Sequence, residues 1–434
     1  SVAGSTDRIN YYMSFGYLKN DGLTVGDFFK TFRTRLNIDG KIASYLTVGL
    51  NAQFSDRDES SVPVTLNNMI QTTPYGQLYN EDGVTLRRST NDDPGNNTNP
   101  YLDQFYTDRL RKFNNLFGSI FAKGDLPLGF SYQVNFTPRF EFSKNYQHIS
   151  ANKPDVATRK GISFREDRNT YQWQIDNILK WNKSIGLHNF DVTLLANAEK
   201  YQTYFSRIDA ENYSPNDNLS YNAVNAAALV KVSSTDEYET GDALMGRLNY
   251  SYNSRYLLTV TGRRDGFSAF GQENPRAFFP SAALGWVFSE EKFMKKYSSF
   301  LDFGKLRLSY GENGNRSIGR YAALSNLASG SYTYITPSGQ TVSVGRVTTN
   351  NISNPNLKWE RNSSINVGLD YGILNSRITG SIDYYDRSTK DLLVLRALPN
   401  VTGFANVITN LGQVDNKGFE FNINSVNTVS KKFE

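Results

Sequence analysis

The sequence predicts an all-β chain, a transmembrane antiparallel up-and-down β-barrel. Three observations predict it. Apolar and polar residues alternate at period two in about fourteen runs, each near the ten residues of a membrane strand. Between the runs, brief turns alternate with very long connections, as expected when the large loops of a barrel share one rim. Finally, the clearest runs keep their charges on one parity and their apolar and aromatic side chains on the other.

The stretch at 246–271, GRLNYSYNSRYLLTVTGRRDGFSAFG, shows the pattern at its clearest. Leu248, Tyr250 and Tyr252 share one parity, against Arg247, Asn249, Ser251 and Asn253. After a tight break Tyr256, Leu258 and Val260 oppose Thr259, Thr261 and Arg263. Read the same way, the strands fall at 9–18, 29–39, 45–55, 113–123, 129–142, 170–181, 188–203, 243–253, 256–264, 279–289, 304–312, 361–372, 377–389 and 417–426.

Hairpin-length turns DGKIA, GDLPL, NKSIGL, SR and ILNS carry turn residues. The connections at 56–112, 204–242 and 313–360 are far longer than compact domains use. Strict alternation of short and long connections predicts one rim of long loops, and an even strand count places Ser1 and Glu434 on the rim of short turns. EEKFMKK, in the irregular turn at 290–303, reads as a short helix with Glu290 and Glu291 in its first turn.

Charge placement bears on the solvent of each face. Leu46, Val48, Leu50, Ala52 and Phe54, then Phe130, Tyr132, Val134 and Phe136, then Ile365, Val367, Leu369 and Tyr371 form uncharged faces. Arg33, Arg35 and Asp39, then Arg139 and Glu141, then Arg247 and Arg263 occupy the opposite ones. Lipid tolerates the first set, whereas a charge at mid-bilayer costs about 2 to 4 kcal/mol. A soluble sheet with its charged face in water also alternates, and parity alone leaves that open.

Composition fits the barrel. The 434 residues are 14% aromatic, with 28 Phe and 27 Tyr, and the mean hydropathy is −0.52. No window nears the roughly 18 apolar residues of a spanning helix. With no Cys there are no disulfides or thiolate metal sites, and a net charge of +5 without a basic block gives no sign of nucleic acid. The chain starts at Ser1 with no signal peptide, which fits a cytoplasmic protein if intact and a missing N-terminus if not.

From 245 to 294 the text MGRLNYSYNSRYLLTVTGRRDGFSAFGQENPRAFFPSAALGWVFSEEKFM resembles the barrel of SusC-type, or RagA-type, TonB-dependent outer-membrane receptors. The likeness continues in KLRLSYGENGN at 305–315, NPNLKWE at 354–360, DYYDRSTKDLL at 383–393 and NLGQVDNKGFEFNI at 410–423, and SVAGSTDRINYYMSFGY resembles the first barrel segments. The family pattern DGSSRFG reads DGFSAFG here, with Phe267 and Ala269 in place of Ser and Arg.

The resemblance implies that 1–434 is part of a barrel of about 22 strands, open in this stretch, with a plug domain and the last strands lying outside it. Its unpaired edges are expected before Asp7 and after Asn424. It also implies multi-pass placement in the outer membrane of a Gram-negative bacterium. The implied function is energised import of a nutrient, an oligosaccharide or peptide, with a SusD-type surface lipoprotein over the mouth and the TonB complex acting through the N-terminal part. A passive porin or surface adhesin barrel is the alternative; a secreted glycan-binding or glycan-cleaving β protein is a third.

Candidate ligand contacts at the lumen or rim are Arg247, Arg263, Arg264 and Asp265, although 263–266 also reads as a charge-balanced strand-end turn. Trp173, Trp181 and Trp286 read as an interfacial girdle more readily than as a sugar platform. TNDDPGNNTNP at 90–100 offers oxygen ligands to Ca²⁺ without ordered spacing and reads as a solvated loop. Adjacent Glu290 and Glu291 cannot flank a glycosidic bond. His148 and His188 have no metal spacing around them, and no catalytic motif or cofactor site is predicted.

Overall fold

The computed structural model describes residues 1–90, 98–213, 217–297 and 300–427. Its strands are β1 Val2–Ser5, β2 Ile9–Asp21, β3 Phe28–Ala43, β4 Leu46–Asp58, β5 Thr107–Asp125, β6 Phe130–Ile149, β7 Ile162–Ile185, β8 His188–Tyr213 and β9 Ala227–Tyr252. They continue as β10 Tyr256–Phe267, β11 Arg276–Trp286, β12 Leu301–Asn315, β13 Leu327–Ile335, β14 Thr341–Thr349, β15 Glu360–Ile373, β16 Ile378–Lys390, β17 Leu393–Ala397, β18 Asn406–Asn410 and β19 Gln413–Ser425. One sheet of 15 strands runs from β1 through β12 and then β15, β16 and β19, with each strand beside its neighbour in sequence. β13–β14 and β17–β18 are separate hairpins inside two loops. Among the described residues no helix is long and apolar enough to cross a membrane.

Every predicted run coincides with a strand of this sheet. The edges fall where they were expected, on β1 before Asp7 and on β19 reaching Ser425, and among the described residues these two strands do not pair with each other. β1 was missed because VAGS is four residues with no alternation. The loop hairpins were missed because LASGSYTYI and TVSVGRVTT dilute their β-branched and aromatic residues with Gly and Ser.

Three expectations need correction. Ser1 is not at the short-turn rim: Val2 pairs with Met13 and Ser5 with Asn10, so the chain reaches that rim only at 6–8. The strand before Ile9, absent from the sequence reading, reverses the start. Glu434 lies outside the described residues. Connection length does not alternate strictly either, because 22–27 and 268–275 are brief. The proposed helix in 290–303 is replaced by two single 3₁₀ turns, Phe288–Glu290 and Lys295–Tyr297. Glu291 accepts hydrogen bonds there from the Tyr256 hydroxyl at 2.6 Å and the Trp286 indole at 3.2 Å, with Arg255 3.6 Å away. Those partners, on two neighbouring strands, hold the segment against the strand ends and outweigh a solvated helical turn.

The chain divides into two compact units, with β5 to β9 passing through both. The first comprises Ser1–Ala122, Asn135–Gln174 and Lys200–Tyr238. The register of β2, β3 and β4 aligns Tyr11, Ile38 and Leu50, then Met13, Leu36 and Ala52, then Phe15, Thr34 and Phe54. The opposite face aligns Asn10, Asp39 and Gly49, then Ser14, Arg35 and Gln53, with the Asn10 amide donating to Asp39 at 2.9 Å. The loop at 59–106 carries a small core of Leu86, Leu102 and Tyr106. Beside it Lys153, almost buried, meets Asp103 at 2.7 Å. Burial opposes the Asp103 charge, but Lys153 and Thr65 outweigh it and hold the carboxyl below its usual range. The stabilisation from this loop contact is present above the ordinary aspartate range and lost as pH falls through the lowered value.

The second unit comprises Lys123–Val134, Ile175–Glu199 and Glu239–Glu434. Here the apolar face crosses seven strands in one row: Tyr250, Leu258, Leu284, Leu308, Val367, Tyr384 and Phe419. The next row toward the short turns is Tyr252, Tyr256, Trp286, Leu306, Leu369, Ile382 and Phe421. Toward the long loops, Leu248, Val260, Ala282, Tyr310 and Ile365 align, and the row ends on the ion pair Asp386–Lys417 at 2.9 Å.

Aromatic rings gather at the short-turn end of this face. Trp181 sits 6.1 Å from both Phe130 and Phe190, Phe190 is 5.1 Å from Tyr250, and His188 is 4.8 Å from Tyr252. Trp286 meets Phe288 at 5.9 Å. The indole of Trp181 donates to the Leu128 carbonyl, so its polar edge points at the turn. This is the anatomy of an interfacial girdle, where a ring is apolar at one end and hydrogen-bonded at the other. Trp173 lies further along β7 on the same parity as Trp181.

Leu258→Arg in the full-length protein is expected to sharply reduce the membrane-inserted, heat-modifiable form, since it sets a charge in the middle of the seven-strand row at about 2 to 4 kcal/mol. Arg247→Leu, on the other face, leaves insertion near wild type. Equal insertion of Leu258→Arg and wild type would contradict the assignment of faces.

Candidate functional site

The polar face of the second unit is built by the residues between those of the apolar rows. Arg247 aligns with Thr261, Ser281, Gly311, Ser364, Arg387 and Asn416, and Asn249 with Thr259, Ala283, Ser309, Asn366, Tyr385 and Gly418. These groups satisfy one another. The Arg247 guanidinium donates to the Thr261 hydroxyl at 3.3 Å, and the Thr259 hydroxyl donates to the Asn249 side-chain Oδ1 at 2.9 Å. The Asn249 amide reaches Asp191 at 3.4 Å, and Asn197 donates to Asp176 at 2.6 Å. A hollow of about 530 Å³ opens toward the short-turn end, lined by Asn182, Ser184, Asn189, Asp191, Asn249 and Thr259 among others.

The strongest charge cluster on this face was not singled out from the sequence. Arg307 holds Asp370 through two hydrogen bonds at 2.7 and 2.8 Å, and Asp383 at 3.0 Å. The register sets Gly368 between Arg307 and Asp383. A Cβ on Gly368 would run into the Arg307 guanidinium and the Asp383 carboxylate, so glycine is what lets the arginine bridge across β15. Only the register, which aligns β12, β15 and β16, shows that the three charges meet.

The four predicted contact residues divide. Arg263 and Asp265 share the polar face in a two-pronged ion pair with bonds of 2.8 Å, and Asp265 is the more enclosed partner. Arg247 lies on the same face. Arg264 does not: it pairs in register with Phe278 and Leu244 on the apolar face and is exposed there. Adjacent residues of a strand point to opposite sides, so the run Arg263, Arg264, Asp265 could not act as one cluster. Of the run at 90–100, residues 91–97 lie outside those described; among the described residues no group of carboxylates and histidines could hold a metal ion. His148 is buried against Ser163 at 2.7 Å.

At the long-loop end of this unit the motifs form a platform. Phe267, Ala269, Phe270, Ala277, Phe279, Ala323, Leu357 and Trp359 make a buried cluster. Trp359 stacks on Phe270 at 4.7 Å and meets Phe279 edge-on at 5.7 Å. Phe267 and Ala269, the two departures from the family pattern, are both core residues of it. Arg316 covers Phe267 at 5.0 Å and forms an ion pair with Glu199.

The NPNLKWE segment ties three loops together. Gly271 N–H donates to the Leu357 carbonyl at 2.9 Å, so 268–275 lies on this segment. The Asn354 amide donates to the Ile408 carbonyl at 2.9 Å. Lys358 N–H donates to the Asn410 side chain at 2.9 Å, and that side chain donates back to the Lys358 and Asp391 carbonyls. A Cβ on Gly271 would overlap the Pro355 carbonyl.

Trp359→Ala is expected to cost about 3 to 5 kcal/mol of local stability by opening the cluster. Gly271→Val separates 268–275 from NPNLKWE. In both variants protease cuts within 316–359 appear while the strands stay intact; an unchanged digestion pattern would show that the loops are not pinned this way.

The family profile described as "TonB dependent receptor-like, beta-barrel" matches residues 49–430. A TonB-dependent receptor of Formosa agariphila is 32% identical over the whole chain, and SusC of Bacteroides thetaiotaomicron is 30% identical over the whole chain. These alignments cover 44% and 45% of the two relatives, so the chain spans less than half their length. A solved structure of the RagAB peptide transporter superposes on 99% of the chain and 48% of its own, at a TM-score of 0.82 and 21% identity, which shows the shared fold. The siderophore receptor PiuA of Acinetobacter baumannii superposes at 0.53 with 13% identity. The chain belongs to the TonB-dependent receptor β-barrel family, a family of the outer membrane.

Proposed function

We propose that this chain supplies lumen wall and extracellular loops to an energised outer-membrane importer of oligosaccharides or peptides. The carrying observation is the two-sided sheet of the second unit. An apolar row spans seven strands on one face, and amides, hydroxyls and neutralised ion pairs cover the other. The first face suits lipid, and the second suits a wet lumen in which a hydrogen-bonding solute moves past a wall of donors and acceptors.

In this reading the short turns face the periplasm and the long loops the cell exterior. The platform of 268–275, 316–359 and 391–412 gives the mouth a fixed surface, preorganised for ligand or for a SusD-type lipoprotein partner. A plug and further strands beyond this stretch complete the barrel, and TonB acts through that plug. SusC among the relatives and the RagAB peptide transporter among the similar structures support the substrate class. Catalysis and cofactors have no part in it.

The test is uptake by cells that depend on the full-length gene. Deletion is expected to abolish growth on one oligosaccharide or peptide mixture, and loss of TonB is expected to abolish it equally. Uptake that persists without TonB would assign the protein to passive porins instead.

A further inference from the structure

We infer that the apolar face of the second unit carries a binding site for a phosphorylated, acylated lipid of the outer leaflet, with Arg264 as its phosphate contact. The inference rests on the outer-membrane reading above. Its floor is the register pair Gly246 and Gly262, whose missing side chains leave a dent in the face. Above Gly246 the nearest side chain a Cβ would meet is Leu194, and above Gly262 it is Phe278. Tyr132, Leu194, Leu244 and Phe278 wall a hollow of about 630 Å³. The polar atoms in that wall are already matched, since the Tyr132 hydroxyl donates to Asn177 at 2.7 Å.

Arg264 closes the hollow on its long-loop side. Asp242, the acid on the same face one strand over, is taken by Arg276 at 2.9 Å. Arg264 thus projects an uncompensated guanidinium at the upper edge of the lipid-facing band. Arg264 lies about 26 Å along the strand from Tyr256 in the girdle, about 20 Å in height at a strand tilt of about 40°, so its long side chain reaches the upper edge of the roughly 25 Å apolar band by snorkelling. A cation at that level meets headgroups, and a guanidinium binds phosphate through paired hydrogen bonds. A dry slot below a phosphate-binding cation fits an acyl chain whose headgroup is anionic. At the long-loop end that leaflet is the outer one, which points to the phosphorylated lipid A of lipopolysaccharide.

The experiment uses the full-length protein, extracted in detergent from outer-membrane fractions, so mislocalisation is detected before any lipid is added. Purified lipid A is titrated in, and thermal unfolding and native mass spectrometry report binding. Wild type is expected to bind and to gain thermal stability. Arg264→Gln weakens binding about five-fold, the loss of one phosphate contact at a membrane surface. Gly262→Leu fills the dent and abolishes binding, and Arg387→Gln on the polar face changes nothing. Unchanged affinity of Arg264→Gln overturns the inference even if Gly262→Leu fails to fold. Phosphatidylglycerol binding as tightly as lipid A, with the same dependence on Arg264, overturns the assignment to the outer leaflet.

Discussion

Backbone pairing in a medium without water is the constraint on which everything else rests. An N–H or C=O left unpaired in hydrocarbon costs several kcal/mol, so a spanning strand must be bonded on both sides. Pairing strand to neighbour fixes register, and register decides which side chains stand in one row. Leu258 meets Leu284 and Tyr250 because the ladder aligns them, and the same ladder sets Arg307 opposite Gly368. Once one residue of a strand faces lipid, the pleat assigns every other residue of that strand.

The rows then explain the local chemistry. Where apolar rows end toward the short turns, aromatic rings with hydrogen-bonding edges take over, and Glu291 anchors Tyr256 and Trp286 at that boundary. Toward the long loops, Asp386–Lys417 and Asp242–Arg276 bring neutralised pairs onto the apolar face, and Arg264 stands among them unneutralised. On the polar face charges occur at any height, several of them in pairs such as Arg263–Asp265 and Arg307–Asp370, because desolvation there is partial and a partner removes most of its penalty. Beyond the rim the chain no longer has a sheet to satisfy it. It builds the Trp359 cluster instead, with backbone groups bonded through Asn354 and Asn410.

Strand existence and facing were legible in the sequence because both depend on nearest-neighbour alternation, a local signal. Edges were less so: β8 and β9 each extend to 26 residues, since ladder pairing continues past the apolar band where alternation fades. The Arg307 cluster was illegible for a different reason. Its members are far apart in sequence, and their meeting depends on two registers and on an absent side chain at Gly368. Arg264 was misplaced by treating a charged tripeptide as one feature when the pleat splits it. Phe267 and Ala269 had been read only as departures from a pattern, and the fold shows what they do: they fill the core under the loops. The Glu290–Glu291 helix failed because its partners, on β10 and β11, were invisible to a local reading.

The account turns on which medium each face meets, and this chain contains no cysteine, so single-site labelling is clean. Nitroxide probes at Leu258→Cys and Thr259→Cys, neighbours in sequence on opposite faces, can be compared in the full-length protein in a bilayer. Dissolved oxygen reports lipid exposure and a water-soluble nickel chelate reports aqueous exposure. The account predicts oxygen-dominated relaxation at position 258 and chelate-dominated relaxation at 259. Chelate access at both positions, or the reverse order, would contradict it.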